Sequence, residues 1–573
     1  VSSNSAERQG RHRLGLLAAA SAAVALAAAD TYVVVLALTD MMAGVGIGID
    51  ALQRATPIIS GFLLGYIAVL PLIGRLSDLL DRRRILLGCL VVFVVGSATT
   101  ALAVELPVLV TGRLLQGVGG GGLVPATLAL VADLWPADRR GTPLGVVGAV
   151  QELGSVLGPV LGAVILALSG WRAIFWFNVA AGLVLLAVIR LLGERARGSG
   201  SPSRRPTRSS VRAVAVALAV LGVALTGLAL AAPDALVTDV TWGAPFVPFV
   251  GESRVLTPVG VAGLGLLVVL AVVTAPRWWA VIRRADLAGA VLVAVALGSL
   301  VLTFASSDPE KEVVGPLGYS LLPVAALAVV ALGWWHRRAA NPLIPRGVLG
   351  HRGLRSLVVS LLVGAALVAI VVDVPLLARL TDAYDETGAA MVLVRFLLAV
   401  PVGALLGGWS LQRLGDGPVA GVGLLLAAGG SFLMSRWDLG SIIETVPTTA
   451  VLVVVGIGVG LALAPVNNAA LADSPPDAHG VASALVVVAR MVGMVVGLAL
   501  LTSIGLHRYF EAVRHLPDPL DTHALLGAGV VQVQTVFLGG AVAALAGGLV
   551  ALTLGSRRRI SEPAADEPRF VGL

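Results

Sequence analysis

Apolar runs about as long as a membrane crossing recur along the whole chain, and they leave few folds open to it. They lie near 14–38, 57–73, 85–104, 107–132, 143–168 and 172–192, then near 213–232, 259–275, 287–305 and 318–335. The last group lies near 354–378, 388–411, 418–435, 447–472, 480–505 and 526–555. Lipid offers backbone amides no water to bond with, so runs of this length cross as helices. The pattern predicts an all-α polytopic membrane protein of about sixteen spans, arranged six, four and six, or fourteen if 213–232 and 259–275 do not cross. Hydrophobic residues make up 57% of the 573 and charged residues only 13%, with a mean hydropathy of +0.95. A soluble globular class is excluded.

The charges between the runs supply orientation. Arg8, Arg11 and Arg13, then Arg82, Arg83 and Arg84, Arg139 and Arg140, the Arg195–Arg212 stretch, Arg277, Arg283 and Arg284 fall on one side when the runs are counted off. So do Arg337, Arg338, Arg346, Arg352 and Arg355, then Arg413, and Arg557, Arg558 and Arg559. The other side carries Asp234, Asp239, Glu252, Asp308, Glu310, Glu312, Asp382, Asp385, Glu386, Asp438 and Glu444. The positive-inside rule then places both termini in the cytoplasm of the cell membrane. The net charge of +7 therefore reflects membrane orientation and does not point to nucleic acid. Arg8, Arg11 and Arg13 before an apolar run ending in Ala27, Ala28 and Ala29 have the form of a signal peptide. The run continues through Val33, Val34 and Val35, so a retained first span is expected.

This layout gives a cytoplasmic tail at 1–13 and an N-terminal six-helix bundle at 14–193. A linker at 194–353 carries about four transmembrane helices, a C-terminal six-helix bundle follows at 354–556, and a second tail at 557–573. The linker begins with a Ser-, Pro-, Gly- and Arg-rich stretch from Glu194 to Arg212 that reads as flexible. The loop Thr238–Pro258 carries Trp242, Phe246 and Phe249, which suit an aromatic belt at the membrane interface.

Within the runs, Gly145 to Gly162 reads GVVGAVQELGSVLGPVLG. Gly145, Gly154, Gly158 and Gly162 let a helix backbone lie against a neighbour, and Pro159 frees a carbonyl inside the span. Glu152 adds a carboxylate at membrane depth, where charge is costly and functional by default. Asp30 in the first run has a counterpart in Asp373 of the eleventh, and Gly154-x-x-x-Gly158 has one in Gly493-x-x-x-Gly497. Paired repeats around a midplane site mark secondary transporters. Lys311 is the only lysine, so no Walker-type loop exists for ATP drive. Cys89, the only cysteine, suits a buried thiol. Gly117-x-Gly119-x-x-Gly122 has dinucleotide-loop spacing but no preceding strand. His507, His515 and His523 share one loop and read as scattered histidines. No catalytic constellation is present, and no enzyme, cofactor or metal site is expected.

Gly74-Arg-Leu-Ser-Asp78-Leu-Leu-Asp81-Arg82-Arg83-Arg84 resembles the loop motif between spans two and three of the major facilitator superfamily, with Asp81 where that family usually has glycine. Arg113-Leu-Leu-Gln116-Gly117 resembles its fourth-span motif, and Gly145 to Gly162 its fifth-span antiporter motif, with Ala163 in place of a final glycine. Trp171-Arg172-Ala-Ile-Phe175-Trp176-Phe177-Asn178 resembles span six of the fourteen-span drug:proton antiporter branch. Asp30-Thr-Tyr-Val-Val-Val, Gln151 to Pro159 and Val486 to Met491 resemble the triacylglyceride exporters of mycobacteria, which work with a periplasmic lipoprotein. Two spans before Asp286 are extra here, and the loops after Ser435 and Leu506 are short.

The resemblance implies two six-helix bundles that enclose a central cavity and alternate between inward-open and outward-open states. It implies a conformational latch at Gly74, Asp78, Arg82, Arg83 and Arg84, and a buried arginine, Arg113, at the proton-coupling site. Asp30 is the expected proton carrier, because burial and a nearby positive charge move a carboxylate's affinity for protons in opposite directions. Asp373 is a second titrating candidate. Glu152 and Arg490 lie at nearly equivalent positions of paired spans and form a candidate cavity ion pair. Arg395, Asn467 and Asn468 are candidate polar groups of the cavity. The favoured function is proton-coupled export of lipophilic, triacylglyceride-like molecules among membrane lipids. Multidrug:proton antiport, an uptake symporter and a non-transporting scaffold are the alternatives.

Overall fold

A computed structural model describes residues 2–47, 52–197, 209–237, 243–249, 251, 253–305, 318–348, 350–381, 386–472, 474–516 and 521–555. Among them every regular element is a helix. The long ones are α1 (Ser2–Gly44), α2 (Leu52–Leu79), α3 (Arg82–Ala101), α4 (Leu106–Leu134), α5 (Gly141–Leu168), α6 (Trp171–Arg197), α7 (Ser209–Ala231) and α8 (Pro258–Arg284). They continue with α9 (Leu287–Ala305), α10 (Gly318–Arg338), α11 (His351–Arg379), α12 (Glu386–Leu414), α13 (Asp416–Met434), α14 (Thr445–Ala472), α15 (His479–Arg514) and α16 (Thr522–Ala551). Each apolar run of the sequence has become one of these helices. Fifteen are long and apolar enough to cross a membrane; α9 contributes a shorter apolar stretch, Leu287–Leu300.

The helices begin and bend where the sequence provides for it. Asp81 caps α3, its Oδ1 accepting from the Arg84 amide at 3.2 Å, so the departure from glycine here supplies a helix start. Helix α1 reaches back to Ser2, through a polar stretch that holds no proline. Proline lies inside α2, α4, α5, α8, α10, α11, α12 and α14, as membrane helices with close neighbours tolerate.

The chain separates into two units by its internal contacts. One comprises Val1–Ala126, Leu157–Leu302 and Pro323–Ile344. The other comprises Thr127–Val156, Thr303–Leu322 and Pro345–Leu573. Four boundaries fall inside α4, α5, α9 and α10, the one in α5 between Val156 and Leu157, two residues before Pro159; the fifth, between Ile344 and Pro345, lies in the connection before α11.

In the first unit Val33, Met41, Ile58, Leu109, Trp171 and Phe175 form a buried cluster of α1, α2, α4 and α6. Helices α7 and α8 form a hairpin: a Cβ on Gly222 would meet Leu267 at 2.8 Å, and one on Gly263 would meet Thr226 at 2.5 Å. Little of either helix is buried, so most of the hairpin's apolar surface is exposed. Its loop is tied down by Arg254, whose amide donates to Glu105 at 2.8 Å and whose Nη1 donates to the Leu230 carbonyl at 2.8 Å. Asp286, in the left-handed region at φ +54°, caps α9 and accepts from Trp335 Nε1 at 2.7 Å and the Leu343 amide at 2.8 Å. In the second unit Val359, Val363, Phe396, Leu424, Val459 and Phe537 belong to a buried cluster drawn from α11 to α16.

The flexible stretch read at Glu194–Arg212 falls largely on 198–208, outside the described residues, as do Asp239, Trp242, Glu252, Asp308, Glu310, Lys311, Glu312, Asp382, Asp385 and Arg557, Arg558 and Arg559. Phe249 lies within them and is 67% exposed.

Candidate functional site

Helix α1 delivers Asp30 to the interior of the first unit, and α4 delivers Arg113 to meet it. Both are 1% exposed. Arg113 Nη1 donates to Asp30 Oδ2 at 2.6 Å. The other carboxylate oxygen, Oδ1, accepts from Asn178 Nδ2 of α6 at 2.5 Å and from Gln116 Nε2 at 3.2 Å. Gln116 stands one turn along α4 from Arg113, on the same face, and its Oε1 accepts from Arg113 Nη1 at 3.0 Å and from Thr100 Oγ1 at 3.1 Å. Gln116 Nε2 also donates to Ser97 Oγ at 2.9 Å. The guanidinium lies over the Phe62 ring at 4.5 Å, and its Nε reaches the Ile58 carbonyl at 3.4 Å.

A carboxylate and a guanidinium this buried are tolerable because each faces the other and both take further hydrogen bonds. Five helices build the network: α1, α2, α4 and α6 reach the pair directly, and α3 holds Gln116. The sequence marked Asp30 and Arg113 singly; the structure joins them. Gln116, Asn178, Ser97 and Thr100 entered the sequence reading as motif letters or not at all. The Arg113–Gln116 spacing was the available signal for one of them.

Asp373 sits in the last turns of α11 in the second unit, 3% exposed. Among the described residues it has no hydrogen-bond or ion-pair partner, which distinguishes it from Asp30. Glu152 and Arg490 face each other within that same unit, Nη1 to Oε1 at 3.5 Å, with side chains 12% and 11% exposed. Arg395 donates to Thr449 Oγ1 at 3.1 Å. Asn467 Nδ2 bonds back to the Leu463 carbonyl at 2.9 Å, and its buried Oδ1 has no partner. Asn468 Nδ2 donates to Asp416 Oδ1 at 2.8 Å; Asp416 also holds Arg352 at 2.5 Å, a cluster the sequence reading did not assemble.

The glycines of α5 serve helix contact on both sides of the unit boundary. A Cβ on Gly145 would come within 2.7 Å of the Ala404 carbonyl, and Gly408 lies against it on α12. A Cβ on Gly158 would run into the Ala29 carbonyl of α1, next to Asp30, and one on Gly162 would meet Val33 at 3.2 Å. Gly154 is buried and Pro159 half-buried in the same helix. Gly493 and Gly497 of α15 repeat the arrangement against Leu361 and Ala365 of α11. The α5–α1 contact and the α15–α11 contact therefore use the same device in the two units.

At the α2–α3 turn, Gly74 is buried and its carbonyl accepts from Ser77 Oγ at 3.0 Å. Arg82 approaches Asp78 at 3.9 Å, and Arg83 donates to the Ile189 and Arg190 carbonyls of α6 at 3.1 and 2.8 Å. Arg84 supplies the amide that Asp81 caps. The turn is thus fastened to α6 through backbone carbonyls.

The family model described as Major Facilitator Superfamily matches residues 20–335. A triacylglyceride transporter of Mycolicibacterium hassiacum is 36% identical, over 96% of this chain and 93% of that one. One of Mycobacteroides abscessus is 37% identical, over 87% and 84%. Among solved structures, a human organic anion transporter superposes with a TM-score of 0.56 at 15% identity, over 94% of this chain and 99% of that one. The Escherichia coli fucose:proton symporter does so at 0.52 and 12%, over 94% and 98%. Motifs, fold and relatives agree: the chain belongs to the major facilitator superfamily of membrane transporters.

Proposed function

We propose that this protein is a proton-coupled exporter of neutral lipids of the triacylglyceride class, acting in the cytoplasmic membrane with both termini in the cytoplasm. The observation that carries the coupling is Asp30, a fully enclosed carboxylate held by Arg113 and two amides. A proton arriving at Asp30 would neutralise one half of that pair and leave Arg113 to seek new partners. This is the two-state electrostatic element that a coupled cycle requires. The substrate class is taken from the relatives, which carry the name triacylglyceride transporter and match nearly the whole chain.

The remaining residues take supporting roles in this reading. Asp373 is a second proton site, and the Glu152–Arg490 pair stabilises one state of the cycle. The turn at Gly74, Asp78, Arg82, Arg83 and Arg84 is a cytoplasmic latch that opens in the other. Gly145, Gly154, Gly158, Pro159 and Gly162 allow α5 to bend and slide. Arg395, Asn467 and Asn468 are polar groups on the substrate path. Bundles at 14–193 and 354–556, joined by the helices of 194–353, form the transporting machine, and a periplasmic lipoprotein receives the lipid.

The test is transport in proteoliposomes under an imposed pH gradient, with labelled triacylglyceride and a cationic dye offered side by side. Gradient-dependent lipid movement is expected. Movement of the dye alone would make the protein a drug:proton antiporter and overturn the lipid assignment. Lipid movement indifferent to the gradient would overturn the coupling.

A further inference from the structure

Two charged side chains of the second unit lack the partners that their counterparts in the first unit have. Asp373 lies six residues before the end of α11, about 9 Å along the axis, and is 3% exposed. Among the described residues its carboxyl group has no hydrogen-bond or ion-pair partner. Ile370 and Leu377 share its face of α11 and are buried in one cluster with Val392 and Phe396 of α12. Arg395 stands beside Phe396, half-buried, and its only partner among the described residues is Thr449 Oγ1 of α14, at 3.1 Å. That hydroxyl gives its own proton to the Thr445 carbonyl, so it meets the guanidinium as an acceptor alone. Arg113, Arg352 and Arg490 each take a carboxylate. Arg395 has a neutral hydroxyl instead, the weaker acceptor for a guanidinium.

The two groups come to one depth. Helix α11 ends, and α12 and α14 begin, at the same end of this unit. Arg395 lies nine residues into α12, about 14 Å along, whereas Thr449 lies four residues into α14, about 6 Å. The arginine side chain therefore runs toward the helix ends and carries its charge to the level of Asp373.

The elements packed on α11 offer Asp373 no other counter-charge. Helix α14 holds no titratable residue. Across from Asp373, α16 carries only uncharged residues between Gly529, which lies against Leu380, and Gly540, which lies against Ala369. Helix α15 is uncharged from Gly497, against Ala365, to Leu506. Its Arg490 is level with Gly364, about 14 Å from Asp373 along α11, and is held by Glu152. On α11 itself Arg379 is exposed, and Arg352 and Arg355 stand at the other end, as Arg413 does on α12. Asp438 accepts from Ser441, and Glu444 is exposed. Asp382, Asp385 and the side chain of Glu386 lie outside the described residues.

We propose that Asp373 and Arg395 form an ion pair in another state of the transport cycle, and that Thr449 holds the guanidinium while Asp373 carries a proton. An unpaired charge is costly to bury and a neutral carboxyl group is not, so loss of the proton to water leaves a carboxylate that draws Arg395 off Thr449. Reprotonation returns the arginine to the hydroxyl. The inference rests on the reading of Asp373 as a second proton site and supplies its charge partner, a role beyond that of a polar group on the substrate path.

The experiment labels the full-length protein in vesicles with dicyclohexylcarbodiimide, which reacts with protonated carboxyl groups in apolar surroundings. Labelling of the Asp373 peptide is followed by mass spectrometry across a pH series. Wild type is compared with Arg395→Gln, Arg395→Lys and Thr449→Val. Removing the counter-charge in Arg395→Gln should raise the midpoint by about 1–3 pH units, the effect of an opposite charge on a carboxyl group. Arg395→Lys keeps the charge and should stay near wild type. Thr449→Val removes the resting place and should lower the midpoint, because the arginine is then free for Asp373. A merely structural role for Arg395 or Thr449 would not shift two midpoints in opposite directions. If Arg395→Gln also loses melting temperature, Arg395→Lys and Thr449→Val carry the test. One curve for wild type and Arg395→Gln, a lysine variant shifted as far as the glutamine one, or a midpoint in Thr449→Val that does not fall overturns the pairing and leaves Asp373 a proton site. Absence of labelling at every pH removes the proton site itself.

Discussion

At the scale of single residues, the weight of the structure falls on Asp30. Its two oxygens take bonds from Arg113, Gln116 and Asn178, and none is left over for solvent. Replacing it with asparagine keeps the shape but strands a buried guanidinium, and breaking a buried pair in this way costs about 3–5 kcal/mol. Asp30→Asn should therefore lower the melting temperature and abolish gradient-driven transport in proteoliposomes. Retained proton-driven transport would remove Asp30 from the coupling role. Gln116→Leu makes a different prediction. It leaves the ion pair in place but withdraws an amide from Ser97, Thr100 and Asp30, a loss of about 1–3 kcal/mol for each buried group left unpaired. Thermal unfolding in detergent should register it, with Asp30–Arg113 coupling still present in a double-mutant cycle. The sequence displayed both charges, because a carboxylate and an arginine inside apolar runs stand out. It could not pair them, since residues 83 apart meet only through the rotation and tilt of α1 and α4.

Elements tell a similar story one level up. The existence of every long helix was legible from apolar length, including the α7–α8 pair that a fourteen-span count would omit. Helix ends were less legible: α1 continues to Ser2 through Ser, Asn and Gly10, residues whose propensity does not announce a helix. Which glycines matter was also only partly visible, because small-residue spacing marks a face and not its partner. Gly158 meets backbone on α1, so Gly158→Val cannot be absorbed by a side-chain shift, and overpacking of this kind costs about 1–3 kcal/mol. Gly170, with nothing within 4 Å of an added Cβ, should accept alanine freely. Transport and melting temperature should both fall in the first variant and neither in the second. Equal behaviour of the two would mean that the α1–α5 contact is not what holds Asp30 in register.

For the whole molecule, the open question is which side of the membrane each loop occupies, and the chain is well suited to answering it. Cys89 is the only cysteine, so Cys89→Ala provides a thiol-free background. Single cysteines can then be placed where the backbone is open: Gly10→Cys on α1, Gly170→Cys between α5 and α6, and Phe249→Cys between α7 and α8. Counting helices from a cytoplasmic N-terminus puts residue 10 inside and residues 170 and 249 outside. An impermeant maleimide should label Gly10→Cys only in inverted vesicles and the other two only in right-side-out vesicles. Labelling of Phe249→Cys from the cytoplasmic side alone would mean that the α7–α8 hairpin does not cross, and would reduce the span count without changing the parity of anything after it. Labelling of Gly10→Cys from outside would invert the whole arrangement. It would put the α2–α3 turn, with Arg83 bonded to α6, on the extracytoplasmic face, where a latch on the cytoplasmic entrance has no meaning.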